Sequence, residues 1–194
     1  MDKLDNIYLK HGQWPQAVDI SETGISSEDL FNPELVSTAL DLAKKNSRQR
    51  AIIRIHQDLA DENHLMVNAI LGDSYVQPHK HEEKEKTESF RILKGRAFVV
   101  FFDDEGKIEK KIEMSAEPDG RKVVVVRPDK WHTVVPVGEV TLLLEAKRQP
   151  EGGYNPDTDK TMAPWAPNES DTEAGQKYLQ DLVANLFRSR YISE

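Results

Sequence analysis

The sequence contains no cysteine, which excludes disulfides, thiolate zinc sites, iron–sulfur clusters and a cysteine nucleophile. Aromatic residues are sparse at 7%, and basic residues are outnumbered by acidic ones, 26 against 34, for a formal net charge of −8. That balance argues against nucleic acid as a main partner, because neutralising phosphates needs a clustered basic surface. No hydrophobic run is long enough to span a membrane, and the first six residues lack the apolar stretch of a signal peptide. The expectation is a cytoplasmic, reduced setting with no membrane partner. What is present is a globular profile: 194 residues, 38% hydrophobic and 31% charged, enough for one domain with a sizeable core.

The most informative stretch runs from Gly72 to Gly95. His79 and His81 stand two apart in a segment that reads as extended. In a strand the side chains at i and i+2 leave on the same face, so both imidazoles can reach one point. A polar run over residues 82–87 follows, read as a solvated hairpin tip, and then Glu88 opens an apolar segment that closes on Gly95. Glu82, Glu83 and Glu85 are alternative carboxylates in the same run. Far downstream, Trp131-His132 opens another strand-like segment. Three imidazoles and one carboxylate suit a divalent transition metal.

Along the chain, residues 1–31 read as an irregular arm with one short extended piece at 17–20. Asn32-Pro33-Glu34 is a helix start, with a capping side chain, a proline in the first turn and an acid to match the dipole. Leu35, Ala39, Leu42 and Ala43 follow at helical spacing, and Lys44-Lys45-Asn46 ends the helix. From residue 51 the period changes. Short apolar runs at 51–55, 65–71, 75–81, 88–93, 97–102, 107–114, 122–127, 132–137 and 140–147, bounded by turns, indicate a sandwich, jelly roll or barrel. The charged run 107–114 suits an edge strand, whereas residues 123–126, all valine, read as a central one. Residues 149–168, rich in proline and glycine, read as an ordered loop without regular structure, and 171–190 as a helix with an apolar stripe.

These residues carry a resemblance. Gly72-x6-His79-x-His81-x6-Glu88-x6-Gly95 resembles the first motif of the cupins, with two extra residues before the glutamate. Pro128-x3-His132 resembles the core of the second, with Asp129 where glycine is usual and Pro136 where some cupins carry asparagine. From about Leu35 to Pro167, the ordered elements Asn46–Arg50, Arg54–Asp58, the histidine motif, Phe101–Gly106, Trp131–Val135 and Ala163–Pro167 are similar to the WbuC-like family of small bacterial cupin metalloproteins. The family is encoded among genes for surface polysaccharides in some bacteria, and its reaction is not established.

The resemblance implies an antiparallel jelly-roll barrel flanked by N-terminal and C-terminal helices. On that reading residues 1–31 are an arm, 32–167 the cupin domain with its closing loop, and 168–194 a helix. The metal ligands are His79, His81, Glu88 and His132, holding Fe, Mn, Ni or Zn; catalytic residues are not assigned. Tyr75, His56 and Arg54 are candidate substrate contacts. For His56 and His64 a backbone hydrogen bond in a turn or edge strand is the competing role. Arg48, Arg50 and Arg54 either form an anion-binding wall or pair with the protein's own carboxylates. The expected function is that of a metal-dependent enzyme, an isomerase or oxygenase, acting on a small polar, sugar-like metabolite; the alternative is a non-catalytic binding module. The apolar helix and short edge strands fit a homodimer.

Overall fold

A computed structural model describes residues 18–25 and 32–188; the rest of the expected N-terminal arm, residues 1–17 and 26–31, lies outside the described residues, and the extended piece expected at 17–20 is seen as Val18–Asp19. Strand β1 (Val18–Asp19) leads into a single helical turn, α1 (Ile20–Thr23). Helix α2 (Pro33–Lys45) starts where the sequence signals it, with Asn32 Oδ1 accepting the Leu35 amide at 2.7 Å. Its buried face, Leu35, Ala39, Leu42 and Ala43, packs on Ile53, Val67, Ala69 and Leu142 of the sheet.

Eight further strands follow: β2 (Arg50–Arg54), β3 (Asn63–Leu71), β4 (His79–Lys80), β5 (Glu88–Phe102), β6 (Ile108–Ser115), β7 (Val123–Val126), β8 (Trp131–Arg148) and β9 (Thr161–Met162). Two of them organise the rest. β5 and β8 pair antiparallel along almost their whole lengths, from Glu88↔Lys147 to Phe102↔Trp131, and each joins two runs that read separately in the sequence. The register breaks between Ile92 and Arg96, where Gly95 takes φ 77°. A Cβ there would sit 2.1 Å from the Val140 carbonyl oxygen, so only glycine lets the two strands bend together.

On one side of the bend the order is β1-β2-β3-β8-β5-β7, and on the other β9-β4-β8-β5-β6. Both halves turn apolar residues into one core: Ile70, Phe90, Ile92, Val124, Val126 and Leu143 from the first, Ala97, Val99, Met114 and Val134 from the second. The architecture is mostly β with flanking helices, as expected. Barrel closure is not seen: the pairings among the described residues form an open path, because the halves are joined through the bent β5–β8 pair rather than through a closing ladder.

Two strand readings need correction. β7 is an edge strand, not a central one; among the described residues it pairs only with β5, and Val123 and Val125 are about half exposed. The expected strand at 75–81 shrinks to His79–Lys80. The charged strand β6 is at an edge, as its pattern indicates. The loop after β8 contributes the short β9, and buries Gln149, Asp159 and Ala163. Helix α3 (Thr172–Arg188) lays Leu179, Leu182 and Leu186 on Phe98, Val100 and Val135, so its stripe is core.

Candidate metal centre

His79 pairs directly with His132 across β4 and β8, and Glu88 is the first residue of β5. Lys80, between the two histidines, points the other way, to Asp129 at 2.8 Å and over the Trp131 ring. His79 and His81 thereby reach the same side, as the i, i+2 spacing requires. One ligand atom from each of His79, His81, Glu88 and His132 lies within 4.8 Å of all the others. His81, Glu88 and His132 are buried, and His79 is partly open. The turn before His132 holds Asp129 at φ 60°, a left-handed position that favours glycine and that aspartate tolerates.

The hydrogen bonds fix how the imidazoles face one another. His79 Nδ1 donates to the Gln77 carbonyl at 2.9 Å, His132 Nδ1 to the Lys130 carbonyl at 2.8 Å, and His81 Nδ1 to the Asp159 carbonyl. With the ring proton assigned to Nδ1 by these carbonyls, each Nε2 carries a bare lone pair. Yet His132 Nε2 lies 3.0 Å from Glu88 Oε2, and His81 Nε2 lies 2.9 Å from Glu88 Oε1 without a hydrogen-bond partner. Two acceptors cannot sit at that distance unless a proton or a cation lies between them. Burial tends to raise the Glu88 carboxyl, but a proton or cation shared with His132 and His81, and the charge of Lys147, hold it well below the usual range. Burial, then Lys160 and His132, push His79 well below the usual imidazole range, leaving it neutral. Three imidazole Nε2 atoms around an ionised carboxylate are a donor set that fits a divalent transition metal.

Behind the cluster lies a buried ionic network that the sequence did not disclose. Lys147 Nζ contacts both oxygens of Asp159, at 2.8 and 3.0 Å, and Glu88 Oε1 at 3.9 Å. Burial works against the Lys147 charge, but Glu88, Asp159 and Glu145 raise its pKa. Lys86 is fully buried, with Nζ near Glu83, Asp159 and the Thr158 carbonyl. The run 82–87 is solvated at Glu82, Lys84 and Glu85, as expected, but Lys86 turns inward and pins it to the 155–160 loop. Glu145, one strand pair from Glu88, accepts from Asn68 Nδ2 at 2.8 Å. Burial and then the Glu88 charge push its carboxyl up to about 7.

The other sequence candidates lie elsewhere. Tyr75 donates its hydroxyl to the Pro167 carbonyl at 2.8 Å and meets Tyr178 edge-on, so its contacts are with α3 and the closing loop. Arg48 and Arg50 both pair with Glu169, which resolves their two readings in favour of the protein's own carboxylate. His56 and Arg54 wall a separate cavity of about 250 Å³, lined by none of the four clustered residues. His56 and His64 do make backbone contacts, to Leu65 and Leu59.

Comparison with known proteins adds little. The family described as "Domain of unknown function (DUF6016)" matches residues 31–114, less than half of the chain. No curated protein matches. Among solved structures, the chain is similar to the Cnp3 cupin domain of Schizosaccharomyces pombe, at 16% identity and a TM-score of 0.41, covering 53% of this chain and 66% of that one. A conserved protein of unknown function from Streptococcus pyogenes matches at 14% identity and 0.41, covering 55% and 79%. An oxalate decarboxylase from Lactobacillus farciminis matches at 17% and 0.39, covering 53% of this chain but 27% of that one. With TM-scores below 0.5, these likenesses carry no argument here.

Proposed function

We propose that this protein is a cupin-type metalloprotein that holds one divalent transition metal through Nε2 of His79, His81 and His132 and the carboxylate of Glu88. The observation that carries the reading is the set of three Nδ1–H bonds to backbone carbonyls, which leaves three bare Nε2 atoms around an ionised glutamate. The sequence resemblance to WbuC-like cupins supports it independently, and with it the jelly-roll description.

We infer further that the centre acts on a small polar metabolite. A bound metal would supply Lewis acidity toward a carbonyl or hydroxyl oxygen. The chain's own residues supply the rest. Glu88 and the three imidazoles fix the position of the charge, and the Lys147 ammonium lies 3.9 Å from Glu88 Oε1. His79, the one partly open member, marks the side from which a ligand approaches. Glu145, steadied by Asn68, offers a carboxyl that can hold or release a proton near neutral pH beside the cluster.

The test is elemental analysis of protein purified without added metal or chelator, beside His132→Ala and a His79→Ala/His81→Ala double variant. About one transition-metal ion per chain in the parent, lost in both variants with β-structure retained, is the expected result. Near-normal metal content in the double variant would refute the ligand set.

A further inference from the structure

The cavity walled by Asp19, Arg54, His56, Gln57, Asp58 and Leu59 is separate from the histidine cluster, and two of its walls carry donors with nothing to bond. His56 is 9% exposed. Its ring is fixed on one face by His64, stacked at 3.8 Å and 13°. His56 Nδ1 lies 3.1 Å from the Leu65 carbonyl and 3.2 Å from the Leu65 amide; the carbonyl already accepts the Ile55 amide at 2.8 Å, whereas the Leu65 amide, facing the same way, has Nδ1 to donate to. Nδ1 is thus the acceptor, and the proton sits on Nε2, a buried N–H without a partner. Arg54 Nε–H is also buried and unpartnered, and Arg54 makes no ion pair among the described residues, in a chain of net charge −8. Buried donors left unpaired are costly, each by roughly 1–3 kcal/mol, so a built pair of them points to a missing acceptor.

The two aspartates narrow the choice. Asp19 Oδ1 accepts from the Ser21 amide and hydroxyl, and Asp58 Oδ1 from the Ala60 amide, which leaves each a second oxygen for a hydroxyl donor. Burial tends to raise Asp19, but Ser21, Arg54 and His56 hold it below its ordinary value, so it stays charged. With Arg54 as the one fixed cation beside two carboxylates, a dianion is repelled more than a monoanion. We propose that this cavity is a second ligand site, independent of the metal, for a small hydroxylated carboxylate. Its carboxylate accepts from Arg54 and His56, and its hydroxyls donate to Asp19 and Asp58.

Gluconate is a suitable probe, titrated into chelator-treated protein and followed by nuclear magnetic resonance with calorimetry; glucose and inorganic phosphate serve as the other arms. Saturable binding of gluconate is expected, with shifts at Arg54, His56 and Gln57. Phosphate should bind more weakly and glucose not measurably. Arg54→Gln should weaken gluconate by roughly 10-fold or more, the loss of a charge-assisted bond, with Arg54→Lys intermediate. The His79→Ala/His81→Ala variant should bind as the parent does, so the result stands apart from the fate of the metal centre. No saturable binding, equal binding by Arg54→Gln, tighter phosphate than gluconate, or shifts confined to His79 and His132 would each overturn the proposal. Should Arg54→Gln fail to fold, the positions of the shifts in the parent protein decide.

Discussion

Glu145 sits between Phe90 and Met66, its apolar neighbours in register on β5 and β3. A carboxyl whose folded pKa is raised to about 7 binds its proton more tightly in the native state than in the unfolded chain. Its contribution to stability is therefore present below the unfolded value and is lost as pH rises through about 7. Glu145→Gln keeps the bond with Asn68 and removes the charge. In metal-free protein it should leave stability at pH 4 little changed and raise it at pH 8 by on the order of 1–2 kcal/mol, read by urea unfolding at both values. A variant equally or less stable at pH 8 would mean that Glu145 is well solvated as an anion. At this scale the sequence disclosed the residues whose spacing encodes one face or one chemical type. His79, His81, Glu88 and His132 are such residues, and the structure brings them together. Lys86, Lys147 and Asp159 are not. A lysine in a charge run or at a strand end reads as solvated, and its burial depends on a carboxylate far away in sequence, here Asp159.

A short strand shows the same limit one level up. Residues 123–126 are all valine, so the pattern has no polar position to mark an outer face, and the run reads as buried on both sides. In the structure Val124 and Val126 face the core and Val123 and Val125 face water, because the sheet is covered on one face of β7 and open on the other among the described residues. Valine serves there for its fit to a pleated backbone rather than for burial. Val125→Thr should therefore change stability by less than about 0.5 kcal/mol, while Val126→Thr, which buries a hydroxyl, should cost about 1–3 kcal/mol. Equal effects in thermal or denaturant unfolding would return β7 to the sheet interior. Helix α2 and strand β6 were legible because capping, dipole and charge signals are local; the fusion of neighbouring runs into β5 and β8 was not. Continuity through Gly95 is a matter of pairing between the two strands, which no local pattern records.

At the scale of the molecule, the closing loop and the cluster are one electrostatic unit. Asp159 holds His81 through its carbonyl and Lys147 through its carboxylate, and Lys147 in turn reaches Glu88. Burial raises the Asp159 carboxyl, but Lys147 brings it below the ordinary range, so the native arrangement is carboxylate, ammonium, carboxylate. Asp159→Asn leaves the carbonyl to His81 intact and removes one charge. Lys147 then keeps Glu88 as its nearest described anion partner and competes for it with any cation at the centre. Metal affinity should fall by about 10- to 100-fold, the usual cost of disturbing the groups behind a ligand. Because a metal that binds only the folded chain stabilises it in proportion to the logarithm of its excess over the dissociation constant, the loss should also appear in unfolding. At a concentration of about 100 times the parent's dissociation constant, the parent gains roughly 2.7 kcal/mol and the variant correspondingly less. Lowering the pH should weaken the parent in the same assay, since protons compete with the metal for its ligands. Unchanged affinity in Asp159→Asn, with the His132→Ala control abolishing the thermal shift, would show that Lys147 and Asp159 serve the fold alone. No thermal shift in the parent with iron, manganese, nickel or zinc would remove the metal itself.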